Sequence, residues 1–262
     1  VDVGSLSADT VIMDNGKIVA YSVLPTGGDS TQAAFKAMEV ALNQAALKLE
    51  DIAYTVATGY GRVNVPFAKE NITEISCHAR GAHWLIPSTR TILDMGGQDC
   101  KAIRCDGKGN VVDFAMNEKC AAGTGRYLEI IAEVLEMRLE EIGPRSLEAQ
   151  EEVGISSAGA VFARSEVLSL VRRGVPKNDV LGGIHQAIVH RVHALIMRVG
   201  IEKDFIITGG IAKNIGVVRR LEKRMGLDAK IPGEPQIVGA LGAALFAEER
   251  FQSGIQNGKE GK

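Results

Sequence analysis

Cysteine, proline and aromatic residues are all scarce in this chain, and no long apolar run interrupts it. Only four of its 262 residues are cysteine (Cys77, Cys100, Cys105 and Cys120), and their irregular spacing excludes a secreted disulfide framework, so reduced thiols are expected. No stretch approaches the roughly 18 consecutive apolar residues of a membrane helix, and no signal-peptide pattern opens the sequence. A cytoplasmic protein without membrane contact is therefore expected. Charge of either sign is in little excess: the formal net charge of -2 lacks the electrostatic footprint of nucleic-acid binding. With 45% apolar and 24% charged residues, the chain can build a full core, and its length allows one or two domains.

What the chain has in quantity is glycine, and the glycines fall in a repeat. The segment Val1-Asp2-Val3-Gly4-Ser5, running on to Val11-Ile12-Met13-Asp14-Asn15-Gly16-Lys17, is echoed by Leu93-Asp94-Met95-Gly96-Gly97 and Ile103-Arg104-Cys105-Asp106-Gly107-Lys108. Asp2 to Asp94 and Asp14 to Asp106 are both spaced by 92 residues, so the register holds through a strand, a turn and the next strand. In each copy an apolar strand delivers a carboxylate and then a glycine bend, whose backbone N–H groups an anion can approach closely. Two such hairpins facing each other would make a phosphate clamp. The chain begins one residue before the first of these aspartates, which predicts a trimmed N-terminus.

Between the copies, Asn15-Gly16 closes a hairpin of Thr10–Met13 with Lys17–Val23. Ala34, Met38, Ala41, Leu42 and Ala45 recur at helical spacing and predict a helix over 31–48. Residues 51–58 read as a strand running into Gly59-Tyr60-Gly61, and 75–84 as a helix. The boundary falls in Ile86-Pro87-Ser88-Thr89-Arg90, giving a first domain of 1–88, completed by a small-residue helix at 236–250. A second domain is expected over 89–235, and a mobile tail over 251–262, which lacks an apolar period.

The second half has two loops of small residues that lead into amphipathic helices. Cys120-Ala121-Ala122-Gly123-Thr124-Gly125-Arg126 precedes Tyr127, Leu128, Ile131, Val134 and Leu135; Ser156-Ser157-Ala158-Gly159-Ala160 precedes Phe162, Val167, Leu168 and Val171. A helix N-terminus favours anions and depresses thiol pKa values. Cys120 is thus placed either to act as a thiolate or metal ligand, or to pack as a small residue in a tight turn. The strand Phe205-Ile206-Ile207 runs into Thr208-Gly209-Gly210-Ile211-Ala212-Lys213-Asn214, where glycines let backbone pass along the face of a nucleotide. His190 and His193 lie one helical turn apart without a nearby carboxylate or cysteine motif, and Arg172, Arg173 and Lys177, like Arg219, Arg220, Lys223 and Arg224, read as solvated faces.

The order of two Asp-x-Gly hairpins, Thr-Gly-Gly and a small-residue helix resembles the actin, Hsp70 and sugar-kinase ATPase superfamily. Within it, Ala57-Thr58-Gly59-Tyr60-Gly61-Arg62, Glu74-Ile75-Ser76-Cys77-His78-Ala79, Asp94-Met95-Gly96-Gly97-Gln98-Asp99 and Asn117-Glu118-Lys119-Cys120-Ala121-Ala122-Gly123-Thr124-Gly125-Arg126 resemble the activators of 2-hydroxyacyl-CoA dehydratases and the ATPase subunits of benzoyl-CoA reductases. The resemblance covers nearly the whole chain, to about Arg250. It implies an α/β protein of two actin-like (ribonuclease H-like) domains with a nucleotide cleft between them. It also implies a dimer with a homologous ATPase subunit that shares a [4Fe-4S] cluster, and delivery of electrons from a ferredoxin- or flavodoxin-like donor to a client reductase or dehydratase.

Carried over residue by residue, Asp2 and Asp94 would hold Mg2+, largely through water, and Asp94 would orient the attacking water. Gly4, Ser5, Gly96, Gly97 and Gln98 would surround the phosphates of ATP or ADP, where positioning and charge neutralisation supply most of the catalysis. Gly209, Gly210 and Asn214 would border the nucleoside, and Cys120 would ligate iron. The chain departs from the family at Ser156-Ser157-Ala158-Gly159-Ala160-Val161-Phe162-Ala163-Arg164-Ser165-Glu166, where Gly159 stands in place of the second cluster cysteine and Arg164 in place of a glutamate. A non-identical subunit could supply more ligands, Cys100 or Cys105 could move in, or no cluster is bound. Two other functions remain open: a small-molecule kinase of the same superfamily, and a cluster-less ATP-binding subunit of a larger complex.

Overall fold

The computed structural model describes residues 1–117, 123–155 and 160–260, the side chains of 160–163 and 255–260 excepted. In chain order, strands β1 (Asp2–Val3), β2 (Ser7–Asp14) and β3 (Lys17–Pro25) lead to helix α1 (Ser30–Ala45). Strands β4 (Val56–Ala57) and β5 (Glu70–Asn71) precede helix α2 (Glu74–Leu85). Strands β6 (Thr91–Met95), β7 (Cys100–Cys105) and β8 (Val111–Asn117) are followed by helices α3 (Gly125–Leu135), α4 (Leu139–Ser146), α5 (Ala160–Arg172) and α6 (Lys177–Val199). Strand β9 (Phe205–Thr208), helix α7 (Ile215–Met225) and helix α8 (Val238–Glu260) complete the order. These elements form two compact units: Val1–Arg90 with Cys105–Val112 and Gln236–Lys262, and Thr91–Arg104 with Asp113–Pro235.

In the first unit, β1, β2 and β3 form an antiparallel sheet. Asn15 and Gly16 both have positive φ, 49° and 71°, the two-residue turn that the Asn-Gly pair predicts. Helix α1 turns Ala34, Ala37, Met38, Ala41 and Leu42 inward. It starts where the Asp29 carboxylate accepts the Gln32 N–H at 3.0 Å and stops at Ala46, φ 54°. The strand expected over 51–58 shrinks to β4, because parallel pairing with β5 reaches only from Val56 opposite Glu70 to Ala57 opposite Asn71. Helices α2 and α8 approach so closely that small residues are obligatory at the crossing. A Cβ on Gly242 would lie 1.8 Å from the Cys77 carbonyl oxygen, and one on Gly81 would lie 2.2 Å from that of Val238.

In the second unit the sheet order is β8-β7-β6-β9, with β6 antiparallel to β7 and parallel to β9. Every residue of β6 and of its parallel neighbour β9 is buried, so these strands read as near-continuous apolar runs rather than alternating ones. Leu93, Met95 and Ile207 join Leu128, Ile131 and Ile184 in one core. Helix α6 is interrupted in sequence by Gly182-Gly183, and a Cβ on Gly183 would lie 1.9 Å from the Val153 carbonyl oxygen.

A polar knot ties α4, α6 and α7 together. His185 is fully buried, with Nδ1 2.8 Å from the Leu181 carbonyl and Nε2 3.2 Å from Asn214 Oδ1. Arg220 donates to Ser146 Oγ at 3.0 Å and to the Ser146 carbonyl at 2.6 Å. Burial, seconded by the Arg220 charge, lowers the His185 pKa to about 4 against the opposing pull of its two hydrogen bonds.

Two outcomes are expected. Gly242→Ala costs about 2 kcal/mol or more in urea unfolding, because the α2–α8 crossing must open. Gly254→Ala on the same helix, where an added Cβ meets nothing within 4 Å, is neutral or stabilising. The unfolded chain takes up the His185 proton first as pH falls, so its contribution is complete above pH 6.5 and drains away towards pH 4. Between pH 7 and 4.5, urea unfolding of the unmodified protein loses about 2 kcal/mol more than that of His185→Gln.

Candidate functional site

Each unit builds the same framework around one aspartate. In the first, Asp2 stands on β1, and the turn that follows is closed by the Gly4 N–H donating to the Ser7 carbonyl at 2.8 Å. Asp2 is 8% exposed and lies in register with Asp9 across β1–β2. It also pairs in parallel with Thr58, after which Gly59 turns left-handed at φ 86°. A Cβ on Gly59 would lie 2.3 Å from Asp2 Oδ1. On the other side, a Cβ on Gly239, in the first turn of α8, would lie 2.1 Å from Asp2 Oδ2 and 3.0 Å from His78 Nε2. Two glycines thus wall the carboxylate and hold it against a helix N-terminus, whose dipole favours negative charge.

The second unit repeats the pattern. Asp94, 3% exposed, stands on β6, and the turn after it is closed by the Gly96 N–H donating to the Asp99 carbonyl at 3.0 Å. Asp94 pairs in parallel with Thr208, whose hydroxyl donates to Asp94 Oδ1 at 2.9 Å. Gly209 then turns left-handed at φ 80°, and a Cβ there would lie 2.4 Å from the Met95 carbonyl and 3.0 Å from Asp94 Oδ1. Thr58-Gly59 is therefore the first unit's counterpart of Thr208-Gly209, a correspondence the 92-residue repeat does not reveal because the two pairs lie 150 residues apart. Sequence reading also missed Lys101, whose Nζ lies 3.4 Å from Asp94 Oδ2 and 2.8 Å from Asp99 Oδ1. Extending the repeat as far as Asp9 would have found it, since Asp9 and Lys101 stand 92 residues apart.

Of the candidate ligand residues, Gly4 and Ser5 share the first hairpin, and Gly96, Gly97 and Gln98 the second, with Gln98 exposed. Gly209 donates its N–H to the Pro235 carbonyl at 2.9 Å, and Gly210 opens the short 3-10 turn Gly210–Lys213. Asn214 caps α7, its side-chain Oδ1 accepting the Val217 N–H at 3.2 Å and facing His185 Nε2. The second turn is joined to α3: the Gly96 and Gly97 carbonyls accept the N–H groups of Gly125 and Arg126 at 3.0 and 2.9 Å. Chemically, each unit offers a buried, glycine-walled carboxylate beside a bend whose backbone can face phosphate. That donor set fits a hydrated Mg2+ and the phosphates of a nucleotide.

Cys120 and Gly159 lie outside the described residues. Cys77, Cys100 and Cys105 are all buried free thiols. Burial pushes the Cys77 thiol up to about 12 and raises that of Cys100 as well. Cys100 donates to the Gly123 carbonyl at 3.1 Å and Cys105 to that of Thr89 at 3.4 Å. All three fill buried space as free thiols, and no group of three or more His, Cys, Asp or Glu among the described residues is arranged to hold a metal ion.

The comparisons with known proteins agree with one another. Residues 1–247 match the BadF/BadG/BcrA/BcrD ATPase family. The chain is 49% identical over 253 residues to the activator of lactoyl-CoA dehydratase of Anaerotignum propionicum, covering 96% of this chain and 97% of that protein. Among solved structures, the activator of the 2-hydroxyisocaproyl-CoA dehydratase from Clostridium difficile with bound ADPNP is 40% identical, with a TM-score of 0.92 over 98% of this chain and 96% of the other. The Acidaminococcus fermentans (R)-2-hydroxyglutaryl-CoA dehydratase component A is 41% identical, with a TM-score of 0.91 over 96% of this chain and 97% of the other. The α/β fold is thus the actin-like one that the motif order implies. On its paired aspartate frameworks and its match over residues 1–247, the chain belongs to the BadF/BadG/BcrA/BcrD ATPase family and is an ATPase.

Proposed function

We propose that this ATPase is the activator of a 2-hydroxyacyl-CoA dehydratase, spending ATP to drive electrons of low potential into that partner enzyme. The observation that carries the reading is the duplicated framework of Asp2 and Asp94, each carboxylate walled by glycine and followed by a phosphate-type bend, in a chain 49% identical to a lactoyl-CoA dehydratase activator. Asp2 and Asp94 would hold Mg2+ largely through its own waters, and the ion would supply charge neutralisation at the phosphates. The bends at Gly4-Ser5 and Gly96-Gly97-Gln98 hold the phosphates, and Gly209 with Gly210 lets the nucleoside pass close to backbone. Asp94, fixed by Thr208 and Lys101, orients the attacking water. Burial shields its carboxylate from bulk solvent, in a place where a fixed charge acts more strongly than in open water.

The redox half of the proposal rests on Cys120. An ordinary [4Fe-4S] cluster takes four thiolates. Two copies of this chain offer two at this position, so the remaining ligands of a shared cluster come from outside this sequence, from a related subunit. An acidic ferredoxin- or flavodoxin-type protein is the donor this chemistry calls for.

Asp94→Asn is expected to lower the kcat of ATP hydrolysis by about 100-fold or more, with ADP binding retained. Asp2→Asn raises the Mg2+ concentration needed for half-maximal turnover. The complex of this chain with that related subunit, purified without oxygen, carries iron that disappears in Cys120→Ser, and with ATP and a reductant it switches on dehydration of a 2-hydroxyacyl-CoA by a dehydratase. Iron-free protein that phosphorylates a small hydroxylated acceptor would falsify the activator reading in favour of a kinase.

A further inference from the structure

The two hairpins close the same turn with the same backbone bond, yet they differ at one buried place. Gly4 N–H to Ser7 carbonyl and Gly96 N–H to Asp99 carbonyl are equivalent, at 2.8 and 3.0 Å. Across β1–β2 the register partner of Asp2 is Asp9; across β6–β7 the register partner of Asp94 is Lys101. The contact two residues back is equivalent as well, with its polarity reversed. Ser7 donates to the Asp9 carboxylate at 3.0 Å, whereas Asp99 accepts from the Lys101 ammonium at 2.8 Å.

A lysine 2% exposed is costly to bury and is retained only where charge and hydrogen bonds compensate it. The first hairpin folds the same turn with an aspartate at that place, so the turn itself does not require a cation. What distinguishes the second hairpin is that the lysine reaches Asp94. Its Nζ spans the turn, touching Asp94 before it and Asp99 at its close, while Thr208 fixes the other Asp94 oxygen. Gly96 leaves room for this arrangement: a Cβ there would lie 2.8 Å from Asp99 Oδ1 and 4.0 Å from Lys101 Nζ. An ammonium has three donors and no acceptor, so it can bind both carboxylates at once and hold Asp94 in one orientation.

We propose that Lys101 is a positioning residue for ATP hydrolysis, holding Asp94 in the orientation in which it directs water. The proposal rests on the assignment of Asp94 made above. Lys101 touches neither nucleotide nor water in this role; it acts through Asp94 and Asp99. A displaced catalytic group costs on the order of 100-fold in rate while leaving binding by remote contacts intact. The split between kcat and affinity is therefore the signature that separates positioning from general support of the fold.

The test compares the unmodified protein with Lys101→Met, which keeps length and removes charge, and with Asp94→Asn as control. Expected for Lys101→Met are a kcat lower by about 30-fold or more, and KM for ATP together with calorimetric ADP affinity of the metal-free protein within about threefold. Normal kcat in Lys101→Met with slow Asp94→Asn overturns the role of Lys101 alone. Normal kcat in Asp94→Asn overturns the assignment beneath it. Loss of ADP affinity in proportion to kcat in Lys101→Met reduces the lysine to structural support and also overturns the proposal. Where Lys101→Met does not fold, Asp99→Asn at the partly exposed end of the pair decides: kcat falls about fivefold or more with ADP affinity kept, and an unchanged kcat sinks the idea.

Discussion

The constraint on which the rest depends is the parallel pairing of an aspartate strand with the end of a Thr-Gly strand. In each unit this pairing delivers a carboxylate to a place where the next residue of the neighbouring strand has to be glycine in the left-handed region. A side chain on Gly59 or Gly209 would occupy the volume of the carboxylate or of the carbonyl beside it. The glycine therefore excludes every other residue twice, by its backbone conformation and by the space it leaves. Once those seats exist, the short antiparallel turn after each aspartate, the small-residue start of α8 beside Asp2 and the Thr208 hydroxyl on Asp94 each serve a buried charge.

Much of the framework was legible because it is written in residue types with few alternative uses. Asn15-Gly16 announced its hairpin, the alanine and leucine period announced α1, and a 92-residue offset shared by Asp2, Gly4 and Asp14 announced a duplicated hairpin. The motif order that resembles actin-like ATPases led to the family that the comparisons bear out. What stayed hidden had physical reasons. Thr58-Gly59 and Thr208-Gly209 share only two letters, so their equivalence emerges from strand pairing rather than from text. Lys101 followed the glycine motif in a strand where a lysine reads as a surface residue, and only tertiary packing reveals that both of its partners are carboxylates. Gly182-Gly183 obscured α6, since glycine weakens a helix and its use there is to admit the Val153 carbonyl.

The buried thiols show how the same residue type divides by environment. Cys77 and Cys100 each sit near one of the two framework aspartates, and negative charge together with burial holds both protonated. They fill space and, in the case of Cys100, fasten the Gly123 carbonyl. Such thiols are poor ligands and poor nucleophiles, unlike the thiolates that a helix N-terminus stabilises.

The bonds from Gly125 and Arg126 to the Gly96 and Gly97 carbonyls carry a consequence for how the second unit can move. A helix needs acceptors for its leading amides, and here they are borrowed from the bend after Asp94. Bend and helix are thereby geared: neither can shift by the length of a hydrogen bond without the other following or losing its anchor.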